Sequence, residues 1–273
     1  MTTYNLLNAH LSPVPLCQKL CTLPKAPPNS LPDIADDDVK IHYQHLVGSL
    51  LYLALCTRPD IAYATMALGQ YNANPTCAHL LAVKGVLRYL LGTIDYGLEY
   101  NFTQTPVGSP ASAIIPNNCA FTDADWASDE HDRRSISRFA LFLFSALVAR
   151  SAVKQHTTAL FSTKAEYMAL IHVIREALWL RLFLTILGFP CPQPFPLLCN
   201  NQSALAITNS KAVTSRSKHI NVRYHFYREH LSSSSFATSW IPTQDMMADI
   251  FTKPLTPTIH DKHVRGLGLV HLP

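Results

Sequence analysis

Phe121-Thr122-Asp123-Ala124-Asp125-Trp126-Ala127 is the stretch that orders the rest of this chain. It follows a proline-bearing linker and precedes an apolar, strand-like pattern. Two carboxylates stand two residues apart at the end of a predicted strand. On a strand, positions i and i+2 share a face. Two readings of the pair are open. Asp favours turns, and two carboxylates on one face offer oxygen ligands to a divalent cation.

Downstream, residues 118–126, 137–144 and 146–155 read as three strands, with a charged loop at 128–134. Links this short imply an antiparallel meander. Thr163 and Glu166 have the T-x-x-E spacing of a capping box. They open a helix whose apolar stripe is Tyr167, Leu170, Ile171, Ile174, Leu178, Leu182 and Ile186, stopped by Gly188 and Pro190. Residues 195–200 are short and apolar, which predicts a buried central strand. Helices are predicted at 202–208 and 217–231, a fifth strand at 236–242 and a last helix at 246–253. The order βββαβααβα predicts an α/β domain, a mixed five-stranded sheet flanked by helices, over 118–256.

Upstream, 39–102 reads as a small helical subdomain. Its helices cover about 39–54, a segment from Ile61, and 77–91, and a strand follows from Gly97 to Phe102. Asp36-Asp37-Asp38 suits the first helical turn. Residues 1–38 carry Pro13, Pro15, Pro24, Pro27, Pro28 and Pro32 and read as irregular. Residues 103–117 read as a linker, and 257–273 as a C-terminal tail.

Only 15% of residues are charged, which suits faces that meet other parts of a larger assembly, or a drifted sequence. A net charge of +4 permits nucleic acid as a partner. No apolar run approaches the roughly 20 residues that cross a bilayer. Met1-Thr2-Thr3-Tyr4-Asn5 has neither the basic region nor the apolar run of a secretory signal. The seven cysteines are odd in number and form no CxxC pair, and Cys17 and Cys21 with His10 lack a second zinc-ligand pair. An intracellular location, cytoplasmic or nuclear and not secreted, is therefore expected.

The acids sit at element ends: Asp123 closing the first strand of the mixed sheet, Glu166 in the first turn of the long helix, Asp249 in the last predicted helix. A mixed sheet can gather all three at the carboxyl ends of its central strands. Converging carboxylates repel one another without a cation, and hard oxygen ligands favour Mg2+ or Mn2+. Two such ions about 4 Å apart can clamp the attacking water and leaving oxygen of a phosphodiester.

The runs Leu46-Val47-Gly48-Ser49-Leu50-Leu51-Tyr52-Leu53, Thr57-Arg58-Pro59-Asp60-Ile61-Ala62-Tyr63-Ala64 and Val86-Leu87-Arg88-Tyr89-Leu90-Leu91-Gly92-Thr93 precede the anchor stretch. Asp132-Arg133-Arg134-Ser135, Ser162-Thr163-Lys164-Ala165-Glu166-Tyr167, Lys218-His219-Ile220 with Tyr224-His225-Phe226 and Arg228-Glu229, and Ala248-Asp249-Ile250-Phe251-Thr252-Lys253-Pro254-Leu255 follow it. In this order, from about residue 43 to 269, they resemble the C-terminal part of a Ty1/copia-type retrotransposon Pol polyprotein. The resembling parts are the segment after the reverse transcriptase palm and the ribonuclease H domain. The palm and fingers lie outside the resemblance, as do a D-[ST]-G protease motif and an integrase zinc set. No oligomeric state follows from it.

The resemblance implies a ribonuclease H-like fold and hydrolysis of the RNA strand of an RNA–DNA hybrid, the 2′-OH marking that strand. It implies that Asp123 bridges two Mg2+ ions, that Glu166 holds one and positions water, and that Asp249 holds the other. It also implies hybrid contacts from Arg133, Arg134, Lys218 and Lys253. The departures bear on activity. The family has Cys-Asp-Asn where this chain has Cys199-Asn200-Asn201, so Asn200 replaces the remaining metal ligand. Lys164 stands for a glutamate, Arg138, Phe144 and Ser145 for glycines, and Arg150 for a tryptophan. Three readings follow: an active hybrid nuclease, a non-enzymatic remnant that keeps the fold and some hybrid binding, and a drifted reading frame. An impaired nuclease is expected to gain activity with Asn200→Asp.

Overall fold

The structure, a computed structural model, describes residues 37–100, 118–126, 133–189, 194–209 and 235–272. The predicted helix at 217–231, with Lys218, and the linker 103–117 lie outside the described residues. The chain divides into two compact units, one of residues 1–99 and 250–273, the other of 100–249. Elements are numbered in chain order through both.

In the first unit, α1 (Asp37–Cys56) opens with Asp37 and Asp38 in its first turn and buries Tyr43, Val47, Leu50 and Ala54 at helical spacing. Pro59 ends this run and starts a 3-10 turn, Pro59–Ile61, that leads into α2 (Ala62–Gly69). Thr76 caps α3 (Cys77–Gly92) in a reciprocal box with His79, whose Nδ1 accepts the Thr76 backbone N–H at 3.0 Å. Ile61, Ala64, Leu68, Val83, Val86 and Tyr89 close the core against α1. A buried ion pair sits beneath: Arg58 reaches Asp60 through Nε at 3.0 Å and Nη2 at 2.7 Å, and the Tyr89 hydroxyl donates to the same carboxylate at 2.7 Å.

Strand β1 (Tyr96–Leu98) is only three residues long. The C-terminal segment completes it. Residues 257–273, expected as a tail, form α6 (Pro257–Gly266) and β7 (Leu269–His271), and β7 pairs antiparallel with β1. The reason is non-local: an isolated three-residue strand leaves its backbone groups unpaired, and its partner lies about 170 residues away in sequence. His260 of α6 lies against this core, its Nε2 3.3 Å from the Asp60 carbonyl oxygen and its ring edge-on to Tyr89.

Burial lowers the basicity of both His79 and His260, and His260 faces Asp60, Asp261, Arg58 and the Tyr89 ring. A histidine with a depressed folded-state pKa binds fewer protons folded than unfolded. Stability therefore falls as pH drops below the unfolded value near 6.5, by at most about 1.4 kcal/mol per pH unit per histidine. Urea midpoints between neutral pH and about pH 5 should decrease for the first unit. A flat profile would refute the assignment.

In the second unit, β2 (Cys119–Asp125), β3 (Ile136–Leu143) and β4 (Ala146–Lys154) form the antiparallel meander. Helix α4 (Ser162–Ile186) crosses to β5 (Phe195–Cys199), which lies parallel to β2; α5 (Gln202–Asn209) follows, and β6 (Phe236–Trp240) lies parallel to β5. The sheet order is β4-β3-β2-β5-β6, the mixed five-stranded sheet expected. Tyr167, Leu170, Ile171, Val173, Ile174 and Ala177 of α4 pack on Phe139, Leu141, Leu143, Phe195, Leu197 and Phe236.

Four local expectations differ from the structure. The capping box at Thr163 and Glu166 does not form: α4 starts at Ser162 after an extended Phe161 with no side-chain cap, so Thr163 already lies within its first turn. The apolar stripe outruns the sheet, leaving Leu182 and Ile186 at 62% and 75% exposure. The helix predicted for 246–253 is a 3-10 turn, Met247–Phe251. Of the strand expected at 97–102, β1 takes Gly97 and Leu98, while residues 99 and 100 lie outside it.

The β3–β4 turn has Phe144 and Ser145 at φ 52° and 64°. Two left-handed residues make a primed hairpin turn, which favours Asn-Gly, and a side chain there costs about 1 kcal/mol. Ser145→Gly should stabilise the second unit by about 1 kcal/mol, read as a raised urea midpoint. No gain would show that the turn relaxes in solution.

Candidate active site

The site starts from the pleat of β2. Phe121, Asp123 and Asp125 share one face, while Ala120 and Ala124 turn to α4. Asp123 stands directly opposite Arg138 of β3. Cross-strand neighbours place their Cβ atoms about 5 Å apart on the same face, so a long cationic side chain at 138 must meet the β2 acids.

It does. Arg138 is fully buried, at 0% exposure. Its Nη1 donates to the Asp123 carboxylate at 2.6 Å and to that of Asp249 at 3.2 Å. Its Nη2 stands 3.1 Å from an Asp125 oxygen, an ion-pair distance without hydrogen-bond alignment. Asp123 and Asp249 are buried, and Asp125 is partly open.

Small residues bring in the remaining acid. Ala124, Ala159, Ala165 and Ala169 pack together and let the start of α4 approach β2 closely. Gln155 ties that turn down, donating from Nε2 to the Ala165 carbonyl at 2.9 Å and to the Ser137 hydroxyl at 2.8 Å. The Trp126 indole N–H donates to the Ala159 carbonyl at 2.9 Å. Glu166 is thereby buried against Asp123. Burial, and then the charge and hydrogen bond of Asp123, push its carboxyl well above the usual range.

Asp123, Glu166 and Asp249, from three separate segments, thus meet at one place. Asn200 follows the last paired residue of β5, Cys199, whose pairing partner on β2 is Thr122. It is half-buried, and its backbone carbonyl accepts the Trp240 indole N–H at 3.2 Å. Arg133 is exposed with φ 54°, Arg134 is half-buried just before β3, and Lys253 follows the 3-10 turn in the first unit.

The residues present do not fit the Mg2+ or Mn2+ ions that the resemblance implies. Two of the three carboxylates that would ligate them, Asp123 and Asp249, are engaged by a guanidinium, and Asn200 offers no charge. Among the described residues no group of three or more His, Cys, Asp or Glu is arranged to hold a metal ion. Arg138 is the site residue that sequence reasoning missed. The signal was there: one arginine within Ile136-Ser137-Arg138-Phe139-Ala140-Leu141-Phe142-Leu143. A charge inside a buried strand is rarely left without a partner.

No family model matches the chain. It is 35% identical over 266 residues to the retrovirus-related Pol polyprotein of transposon RE2 from Arabidopsis thaliana, covering 96% of this chain and 17% of that one. It is 35% identical over 251 residues to the corresponding polyprotein of transposon TNT 1-94 from Nicotiana tabacum, covering 92% of this chain and 18% of that one. The chain belongs to the copia-type retrotransposon Pol family. This Pol-family chain therefore spans under a fifth of the length of those relatives. Among solved structures, the N-terminal ribonuclease H domain of a Mycobacterium tuberculosis protein, fused to maltose-binding protein, aligns over 54% of the Pol-family chain and 96% of its own. The TM-score is 0.36 and the identity 13%. Among the described residues, no helix is long and apolar enough to cross a membrane.

Proposed function

We propose that the second unit is the ribonuclease H-like domain of a copia-type Pol polyprotein, and that it no longer hydrolyses the RNA of RNA–DNA hybrids at a useful rate. The observation that carries the reading is the convergence of Asp123, Glu166 and Asp249 about Arg138. Three acids drawn from a strand, a helix and a turn far apart in sequence suit a phosphodiester hydrolase. A guanidinium bonded to two of them suits one that has lost its cations. No hydrolytic step follows from these residues as they stand. The non-enzymatic reading, a module that keeps the fold and some affinity for hybrid, is favoured by the same ion pairs. Arg133 and Arg134 are the candidate phosphate contacts of this unit, so hybrid affinity should fall steeply with salt.

The test is cleavage of a labelled RNA–DNA hybrid in Mg2+ and in Mn2+, with Asp123→Asn as the blank. Wild type should cleave no faster than the blank. Asn200→Asp alone should not restore cleavage, which revises the expectation drawn from sequence, because a new carboxylate leaves Arg138 on the others. Cleavage by wild type that Asp123→Asn abolishes would show a working nuclease.

A further inference from the structure

We infer that the Arg138 guanidinium is the resident cation of this acidic site, so that the unit folds without metal and its acids bind neither Mg2+ nor Mn2+. The inference rests on the ribonuclease H-like reading only for what the acids once held. The geometry stands by itself. Among the described residues Arg138 is the largest with a fully buried side chain, and it sits in the interior of a strand paired on both sides, to Asp123 and to Ala152. It holds Asp123 and Asp249 through one nitrogen and faces Asp125 with another.

Charge makes the exchange intelligible. Relative to the family pattern that the chain resembles, Arg138 stands for a glycine and so adds one positive charge among Asp123, Asp125 and Asp249. A tethered guanidinium cannot diffuse away, and its strand position gives it no route out of the cluster. Mg2+ needs a near-octahedral oxygen shell at about 2.0–2.1 Å. Here it would have to share the Asp123 and Asp249 oxygens with a cation already within 3.2 Å of both. Like-charge repulsion and lost ligands act in the same direction.

The experiment uses the whole chain and no nucleic acid, so its failure is distinct from a failure of the hybrid-hydrolase reading. Mn2+ binding is followed by the paramagnetic resonance signal of free Mn2+. Thermal midpoints are compared in EDTA and in millimolar MgCl2 at matched ionic strength. Wild type should show the same midpoint in both buffers and no Mn2+ site that depends on Asp123. Arg138→Gly should melt lower than wild type in EDTA, recover in MgCl2, and bind Mn2+ at least about tenfold more tightly than wild type. Adding Asn200→Asp to it should tighten binding again. Arg138→Lys, a lone cation without the fork, should stay insensitive to metal. If Arg138→Gly fails to fold in either buffer, wild type against Asp123→Asn decides. A stoichiometric Mn2+ site in wild type that Asp123→Asn abolishes overturns the inference, and equal Mn2+ signals support it. A metal-free Arg138→Gly as stable as wild type also overturns it.

Discussion

Arg138→Met in metal-free buffer is expected to cost the second unit about 3–5 kcal/mol of stability. The substitution keeps much of the side-chain volume, so the loss is electrostatic. Asp123 and Asp249 lose their shared donor at 2.6 and 3.2 Å, and both carboxylates are buried. Taking the cation away from buried carboxylates costs more than the pair is worth when intact. The double variant Arg138→Met/Asp123→Asn should regain part of the loss, because it removes one of the two carboxylates that lose the guanidinium. Urea unfolding followed by circular dichroism reads both. A loss under about 1 kcal/mol for Arg138→Met would mean that water reaches the cluster and screens it. That outcome would be incompatible with the burial described.

The second large effect belongs to the first unit. Asp60→Ala should cost about 3–5 kcal/mol there. The Asp60 carboxylate receives Arg58 through two nitrogens and Tyr89 through its hydroxyl. Its removal leaves a guanidinium at 6% exposure whose other bonds go to Thr93, at 2.8 Å to the carbonyl and 2.6 Å to the hydroxyl. The pair joins the turn before α2 to the end of α3, so the loss should appear as early melting of the helical signal. Asp60→Asn, which keeps the shape but not the charge, should cost less. Equal losses for Ala and Asn would assign the effect to charge alone, and no loss for either would remove this pair from the stability of the unit.

The same residues show what was legible in advance. Thr57-Arg58-Pro59-Asp60 reads from sequence as a helix break, which it is, because Pro59 carries that information locally. That Arg58 and Asp60 also make a buried pair under Tyr89 depends on α3 folding back over them. Glu166 shows the reverse case. Its T-x-x-E spacing satisfies a local rule, yet the side chain serves a tertiary contact. A cap is one hydrogen bond among several a carboxyl can make, and spacing cannot rank a partner from another strand.

By itself the sequence determined the elements of the sheet and the face shared by Asp123 and Asp125. Apolar periodicity and side-chain alternation are properties of adjacent residues, so they are written in the chain. Only the tertiary structure decided that the C-terminal residues complete β1 and that Arg138 stands opposite Asp123 with Asp249 beside it. Register pairs residues 15 positions apart, and the third carboxylate is 111 positions away. Which charge a buried arginine meets is set by that pairing, and no local pattern encodes it.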